Sequence, residues 1–509
     1  MDAVLGLRSA VRRNGRFMER FGRCAALLLV LGATTSTVGA SGRTLGALQL
    51  EPCTLSAAGW PYTVAAYCGR HAVPENRDEP SGRRIELALA VVPSTAKRPQ
   101  PDPVFLLAGG PGQSALEAYP AAAAAFGEVL RNRNVVLVDQ RGTGGSNPLQ
   151  CRDADQDPDS PGSAAPDPSE ARRAAERCLS TLEADPRFYT TSEAVLDLEA
   201  VRQAYGSAQV NLVGVSYGTR VALEYLRRFP DRTRTVVLNA VVPPELALGA
   251  EHARNLEASL DAQFVRCERD AACARQYGSP RAALDRLMER LRRAPEPVTY
   301  RDPVTHELRE EPLTAATVAG MVRLYAYSPQ LAAMLPRSLA EAAAGRPEVL
   351  MGQARMVETL LGEQFDAGLQ LSVICSEDAD RLAVDPADAE TLMGTAFVAT
   401  LLAQCEVWPR GGRPAEFNAP VLSDRPVLLL SGEFDPVTPP RYGEQVVQHL
   451  PNGRHLIAPG QGHDVLAAGC VPRLVARFIA SADAGSLDAA CLERLGDTPP
   501  FAGAYGWEP

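Results

Sequence analysis

The sequence predicts an α/β fold with a mostly parallel sheet and an inserted block of helices. Short apolar runs alternate with helical patterns along most of the chain, as is typical of parallel strands that are covered on both faces. Between Pro244 and about Gly412 this alternation stops and helical patterns dominate. With 509 residues, 46% of them hydrophobic, the chain is long enough for a large core and an accessory domain.

Seven segments are predicted to be strands of this sheet. The first alternates apolar and polar residues, which indicates a strand with one buried face. The other six are short and mainly apolar, and several end in glycine-rich loops. In chain order the segments are residues 83–92, 103–108, 134–138, 209–215, 233–240, 425–432 and 454–459.

Helices are predicted between these strands. Residues 192–206 place their apolar side chains mainly on one side and begin at Ser192, a suitable N-cap residue. Another helix, over residues 217–228, follows the fourth strand directly. The predicted organisation is a signal peptide over residues 1–40, the first part of the core over 41–245, the helical insertion over 246–411 and the C-terminal part of the core over 412–509.

The first 40 residues have the features of a secretory signal peptide. Six arginines and two acidic residues are combined with a strongly apolar stretch, roughly residues 24–33, and with the small residues Val38-Gly39-Ala40. The apolar stretch is too short to span a bilayer comfortably, which disfavours a retained anchor. We expect cleavage after Ala40, a secreted or periplasmic protein, and no stable membrane insertion once the signal is removed.

The cysteines indicate disulfide bonds. Of the 11 cysteines, Cys24 falls in the signal segment, which leaves an even number, and no CxxC pattern suggests zinc or thioredoxin chemistry. The sequence does not determine the connectivity, but the short separations favour sequential pairs. The hypothesis is Cys53 with Cys68, Cys151 with Cys178, Cys267 with Cys273, Cys375 with Cys405, and Cys470 with Cys491.

Charge and motifs exclude several classes of partner. The net charge is −10 and no basic patch is present, so nucleic acid is not expected to bind. The phosphate-binding patterns GxxxxGK[ST] and GxGxxG are absent. We expect no metal and no organic cofactor, and the sequence leaves the oligomeric state open.

One serine has the surroundings of a nucleophile. The pattern Gly214-x-Ser216-x-Gly218 would arise by chance in about one chain in five of this length. Here it lies between a buried strand and a helix, which is the setting of a nucleophile elbow. Ser216 is therefore the predicted nucleophile.

A serine nucleophile needs a base, and the base needs an orienting carboxylate. On this fold the chain order should be serine, acid, histidine. His463 lies in a glycine-rich loop after the last strand, whereas His449 ends a helix and His455 opens a strand. His463 is the predicted base.

For the acid, Asp435 follows a strand directly, and strand-end loops are where such groups collect in α/β sheets. Glu433 and Asp464 are the competing carboxylates, and Asp435 is the predicted acid.

The predicted oxyanion donors are the backbone N–H groups of two residues. Tyr217 follows the predicted nucleophile, and Gly110 lies in the glycine loop after the second strand.

Five motifs together resemble the proline iminopeptidase and secreted tripeptidyl aminopeptidase group of α/β-hydrolases, over about residues 45–495, including the C-terminal part of the latter branch. The motifs are GGPG (109–112), DQRGTGGS (139–146), GVSYGT (214–219), GEFDPVTPP (432–440) and GQGHD (460–464). The resemblance implies a helical cap over the site. It also implies release of residues or short peptides from free N-termini.

The chain departs from this group at two positions near the site. Ala108 stands where many relatives have histidine, and Asp464 stands where many have glycine. Neither change removes a catalytic group, but both bear on substrate preference. Asp139 and Arg141 are predicted to be a buried structural ion pair rather than a catalytic pair.

An aminopeptidase must recognise a charged amine. Glu377, with Asp378 beside it and Cys375 anchoring the segment, is the hypothetical amine ligand; a solvated acidic turn is the alternative. The predicted function is an exported serine aminopeptidase acting on peptides. The same triad would also serve an esterase or amidase acting on small molecules. A non-catalytic binding protein is disfavoured because all three triad positions are filled.

Overall fold

The computed structural model of the protein describes residues 41–151, 167–362 and 365–502. The predicted signal peptide lies outside the described residues. The described strands are β1 (Arg43–Leu45), β2 (Leu48–Ser56), β3 (Thr63–Pro74), β4 (Arg84–Val92), β5 (Val104–Leu107), β6 (Val135–Val138), β7 (Val210–Val215), β8 (Thr233–Asn239), β9 (Glu296–Arg301), β10 (Leu308–Leu313), β11 (Val427–Gly432) and β12 (Gly453–Ala458).

The helices alternate with these strands in the two core parts and follow one another in the insertion. They are α1 (Ala115–Ala122), α2 (Pro168–Thr181), α3 (Thr191–Tyr205), α4 (Tyr217–Arg228), α5 (His252–Arg269), α6 (Ala271–Tyr277), α7 (Pro280–Arg293), α8 (Ala315–Ala326), α9 (Pro329–Ala332), α10 (Leu335–Ala343), α11 (Glu348–Gly362), α12 (Ala367–Glu377), α13 (Ala396–Cys405), α14 (Pro440–Val447) and α15 (Val471–Ser481).

Ten strands form one sheet in the order β1-β2-β3-β4-β6-β5-β7-β8-β11-β12. The pairs from β6 to β12 are parallel, and those from β1 to β4 and onward to β6 are antiparallel. The seven predicted strands are confirmed as β4 to β8, β11 and β12, each within two residues of its predicted bounds. The predicted α/β class with a largely parallel sheet is therefore confirmed.

The parallel strands are buried because helices cover both of their faces. Phe105 points into a hydrophobic cluster that includes side chains of α3 and α4, and its neighbour Leu106 points into a second cluster that includes side chains of α1 and α15. Every residue of β5, β6 and β11 is buried. Continuous apolar sequence is the consequence of this two-sided burial.

The inserted region contains strands that the sequence did not predict. β9 and β10 pair as an antiparallel hairpin within the block that the sequence predicts to be mostly helical. Both strands alternate buried or half-buried with exposed side chains. Most of their exposed positions carry proline, threonine or a charged residue, so no continuous apolar run marks them.

A third hydrophobic cluster lies inside the insertion and is formed by α5, α7, α8, α10, α11 and the hairpin. By contrast, α12 and α13 contribute Leu369, Val373, Val398 and Leu401 to the first cluster of the sheet. We therefore propose that the cap proper extends from α5 to α11, and that α12 and α13 belong to the core. The predicted bounds of 246 and 411 stay predictions.

Five disulfide bonds confirm the sequential pairing. They join Cys53 to Cys68, Cys151 to Cys178, Cys267 to Cys273, Cys375 to Cys405 and Cys470 to Cys491. None of the helices within residues 41–151, 167–362 and 365–502 is both long and apolar enough to cross a bilayer.

Removing the disulfide between α12 and α13 should destabilise the fold. Cys375 and Cys405 are 30 residues apart, so replacing both with alanine frees a long loop in the unfolded chain. We expect the free energy of unfolding, measured by urea titration, to fall by about 3 to 4 kcal/mol. The matched control is the pair Cys267 and Cys273, only 6 residues apart. Its removal should cost about 2 kcal/mol, and the reverse order would contradict the loop-length argument.

Candidate active site

Ser216 occupies a strained turn between β7 and α4. Its backbone has φ 55° and ψ −123°, a positive φ that residues other than glycine rarely adopt. The turn is held by the Ser216 N–H, which donates to the carbonyl of Asn239 at 2.9 Å. Such strain is common where a side chain has to be presented for chemistry.

The two flanking glycines are required by close packing. A Cβ atom at Gly214 would lie 2.4 Å from the carbonyl oxygen of Gly218. A Cβ atom at Gly218 would lie 2.2 Å from the carbonyl oxygen of Leu107, at the end of β5. Any side chain at either position would push α4 away from the sheet, so the elbow depends on both glycines.

Four neighbouring strands bring the candidate groups to one edge of the sheet. β7, β8, β11 and β12 are consecutive and parallel, and Ser216, Asn239, Asp435 and His463 lie at or after their carboxyl ends. Asn239 connects two of these loops. It accepts the Ser216 N–H on its backbone and donates from its side chain to Asp464 at 2.9 Å, beside His463.

His463 and Asp435 form a hydrogen-bonded pair. The Nδ1 atom of His463 lies 2.9 Å from Oδ1 and 3.0 Å from Oδ2 of Asp435. Burial by itself would lower the pKa of His463, but the facing Asp435 carboxylate outweighs it, so the pKa is raised. Burial would likewise raise the pKa of Asp435, but the histidine and the surrounding donors lower it.

Thr438 supports this pair and was not singled out from the sequence. Its hydroxyl donates to Oδ2 of Asp435 at 2.7 Å and lies 3.3 Å from Nδ1 of His463. The backbone N–H groups of Val437 and Thr438 each donate to Oδ1 of Asp435 at 2.8 Å. Aspartate often accepts hydrogen bonds from the backbone N–H groups two and three residues later in a turn. A threonine at the third position after Asp435 could therefore have indicated Thr438.

Replacing Thr438 with valine should weaken catalysis without unfolding the protein. The substitution keeps the shape of the side chain but leaves Oδ2 of Asp435 short of one donor in a buried setting. We expect kcat/KM to fall about 10- to 100-fold, since a hydrogen bond to a charged group is worth about 1.5 to 3 kcal/mol. Thr438→Ser keeps the hydroxyl and is the control; an equal loss in both variants would contradict this role.

Of the two predicted oxyanion donors, Tyr217 follows Ser216 directly, and Gly110 belongs to the glycine loop that packs against Ser216. Tyr217 is the first residue of α4, so its N–H has no partner within the helix. A Cβ atom on Gly109 would lie 3.3 Å from the Cβ atom of Ser216, which places the glycine loop against this serine. Gly110 follows in this loop with φ 105°. Their role as donors stays a prediction.

The competing histidine and carboxylates have other partners. His455 lies on β12, its Nε2 is 2.9 Å from the hydroxyl of Ser431, and burial lowers its pKa. Glu433 accepts the Gly460 N–H at 2.8 Å. These groups hold strand ends and loops together, whereas Asp435 alone of the three candidate acids contacts the His463 ring in the described structure.

Glu377 lies in a buried cluster and not in an exposed pocket. It is 0% exposed and accepts hydrogen bonds from the N–H and hydroxyl of Thr191 at 2.6 and 2.9 Å. Arg220 lies 3.5 Å away and also pairs with Asp378 at 2.7 Å. Burial raises the pKa of Glu377 to about 7. Both expectations for this segment are corrected: it is neither a solvated turn nor open to a substrate amine.

Asp139 and Arg141 are both buried, but their partners differ from the expected ones. Asp139 accepts from the hydroxyl of Ser114 at 2.7 Å and from the N–H of Gly145 at 2.9 Å. Arg141 forms a two-pronged pair with Asp197 on α3, at 2.6 and 2.7 Å. The expected pairing of Asp139 with Arg141 is therefore corrected, while each holds a loop of the core.

Comparison with known proteins supports the same fold. A family model described as alpha/beta hydrolase fold matches residues 102–468. The chain is 26% identical to serine protease Hip1 of Mycobacterium tuberculosis over 516 residues, which covers 93% of this chain and 98% of that protein. It is 30% identical to a tripeptidyl aminopeptidase of Streptomyces lividans over 245 residues, 45% of this chain and 43% of that protein.

Among solved structures, proline iminopeptidase of Mycobacterium smegmatis has a TM-score of 0.40 and 18% identity. The match covers 82% of this chain and 99% of that one. The family model spans well over half of the chain, and the resemblance inferred from the motifs is confirmed. The protein belongs to the alpha/beta hydrolase fold family and is a serine hydrolase.

Proposed function

We propose that the protein is an exported serine aminopeptidase that uses Ser216, His463 and Asp435 as its triad. The observation that carries the proposal is the hydrogen-bonded pair of His463 and Asp435. The pair lies in the loops after β11 and β12, at the same edge of the sheet as the strained turn at Ser216. The names of two relatives, a serine protease and a tripeptidyl aminopeptidase, support a peptide substrate.

The proposed reaction begins with attack of the Ser216 hydroxyl oxygen on the carbonyl carbon of an amide. The Nε2 atom of His463 accepts the serine proton and then donates it to the departing amine. Asp435 holds the Nδ1 proton, which fixes the tautomer and stabilises the imidazolium. The N–H groups of Tyr217 and Gly110 bind the oxyanion. Water then repeats the cycle on the acyl-enzyme.

Export is supported by the five disulfide bonds, which are characteristic of proteins that fold outside the reducing cytoplasm. The predicted signal peptide would deliver the chain there. Cleavage after Ala40 would be seen as a mature N-terminus at Ser41 in protein recovered from the periplasm or the medium.

Hydrolysis of matched substrates tests the proposed function. We expect aminoacyl or tripeptidyl 4-nitroanilides with a free N-terminus to be cleaved, and N-acetylation to lower kcat/KM about 10- to 100-fold, the worth of one charge-assisted contact. Short acyl 4-nitrophenyl esters are the comparison. Hydrolysis of the esters without any cleavage of the free-amine anilides would favour an esterase and reject the aminopeptidase.

A further inference from the structure

The end of α8 in the cap contacts the loop that carries His463. The His463 N–H donates to the carbonyl of Tyr327 at 2.9 Å, and the two rings meet edge to face with centroids 4.9 Å apart. A Cβ atom at Gly462 would lie 2.2 Å from the same carbonyl oxygen. This part of the cap is therefore one wall of the site, next to the base.

Arg323 lies one helical turn before Tyr327 and on the same side of α8. Its Nη2 is 3.5 Å from the Tyr327 hydroxyl, and its guanidinium carbon is 5.5 Å from the ring centroid of Phe397. The side chain is half-buried. The positive charge of Arg323 acts on His463 and lowers the pKa of this histidine. The effects of burial and of the nearby carboxylates on that pKa are larger.

The positive charge of Arg323 also acts on the neighbouring His252. Its ring stacks on Phe397 with centroids 5.6 Å apart. Burial first, and Arg323 second, lower the pKa of His252 to about 3, so this imidazole is neutral and does not offset or add to the charge of the guanidinium. Arg323 thus supplies a positive charge to this wall.

No carboxylate lies within ion-pair distance of Arg323 in residues 41–151, 167–362 and 365–502. The core arginines behave differently, since Arg141 contacts Asp197 and Glu193, and Arg220 contacts Glu377 and Asp378. Charged side chains that leave water are normally paired. A half-buried guanidinium held by a tyrosine and an aromatic face is therefore ready for an anion that comes with the substrate.

The position of Arg323 indicates which part of the substrate carries that anion. In the proposed mechanism His463 donates its proton to the departing amine, so the leaving residue lies on the His463 side of the scissile bond. We propose that Arg323 binds a carboxylate of the leaving residue, and that the preferred substrates are peptides whose residue after the scissile bond has a free α-carboxylate or an acidic side chain. This inference rests on the proposed function.

Short alanine peptides can separate the two sources of the carboxylate. Each peptide has one to three alanines followed by a last residue, which is alanine as the free acid, alanine amide, aspartate amide or asparagine amide. The measurement is kcat/KM for release of the last residue. We expect the wild type to prefer a carboxylate form about 10- to 100-fold, mainly through KM. Comparing the peptide that ends in alanine as the free acid with the one that ends in alanine amide measures the effect of the α-carboxylate. Comparing the aspartate amide peptide with the asparagine amide peptide measures the effect of the side-chain carboxylate.

The variant Arg323→Gln should bring this preference to within about twofold when all four peptides are compared at one pH, where any change in the pKa of His463 affects their rates alike. Arg323→Lys should retain part of the preference. Arg292→Gln, at an exposed arginine of α7, is the matched control and should change nothing. Absence of a preference in the wild type, or an equal loss on all four peptides in Arg323→Gln, would overturn the proposal.

If none of the peptides is cleaved, the aminopeptidase assignment fails, and binding by Arg323 is measured separately. A fluorophosphonate probe labels the nucleophile of a serine hydrolase without peptide turnover. In the wild type, the dipeptide Ala-Ala should slow this labelling more than its amide does. In Arg323→Gln, the acid and the amide should slow the labelling equally. Equal protection by acid and amide in the wild type would reject the carboxylate site.

Discussion

Ser216→Ala is expected to lower kcat/KM by about 10⁵- to 10⁶-fold, since no acyl-enzyme can form without the hydroxyl. Labelling by a fluorophosphonate probe should disappear with it. The fold should be retained, because alanine and serine pay the same steric penalty at φ 55° and the turn is held by a backbone hydrogen bond to Asn239. Circular dichroism and the melting temperature should therefore match those of the wild type.

Ser180→Ala is the matched control for this experiment. Ser180 is exposed on α2, and its hydroxyl donates to the carbonyl of Arg177 in the same helix. Its replacement should leave labelling and kcat/KM unchanged. Labelling that persists in Ser216→Ala would show that another residue is the nucleophile.

Asp435→Asn is expected to lower kcat/KM by about 10⁴-fold, with the fold intact. The carboxylate accepts the Nδ1 proton of His463, whereas an amide nitrogen in its place would favour the tautomer with the proton on Nε2. That tautomer cannot accept the serine proton. The two backbone N–H groups would still donate to the amide oxygen, and the hydroxyl of Thr438 would turn to accept from the amide nitrogen, so the side chain should stay in place.

The same substitution should move the acidic limb of the pH profile. His463 must be neutral to act as a base, so wild-type kcat/KM falls as pH drops through its pKa, which the Asp435 carboxylate raises above the ordinary value. Without that carboxylate, burial dominates and lowers the pKa, so the residual activity of Asp435→Asn should persist to lower pH than in the wild type.

Asp464→Asn separates this effect from a general loss of negative charge. Asp464 also raises the pKa of His463, but less than Asp435 does, and its side chain contacts Asn239 rather than the imidazole. The control should shift the limb in the same direction by a smaller amount and lose little activity. A larger loss in Asp464→Asn than in Asp435→Asn would reject the assigned acid.

The success of the strand predictions depended on two-sided burial. Strands such as β5 and β11 are buried on both faces, so their sequences are continuously apolar and easily recognised. β1 to β3 form the antiparallel end of the sheet, and much of β2 and β3 is exposed or half-buried. The hairpin of β9 and β10 has the same character, so polar residues hide these strands in the sequence.

The order of motifs along the chain was enough to predict where Ser216, Asp435 and His463 would lie, because the carboxyl ends of parallel strands share one edge. It could not predict the burial of Glu377. This residue belongs to an acidic run in the sequence, but the fold buries it against Arg220. Burial depends on which elements pack over a segment, and that information is spread over distant parts of the chain.

The sequence by itself determined the fold class, the core strands and the strand–turn–helix elbow at Ser216, because each depends on local spacing, side-chain type or a glycine that close packing requires. It favoured the sequential disulfide pairs without determining them. Only the tertiary structure decided which groups support them. Thr438 contacts His463. Asn239 contacts Asp464, and Arg323 contacts Phe397. Each of these contacts joins residues far apart in the chain. Such contacts leave no periodicity in the sequence, because they depend on how distant segments of the chain pack together.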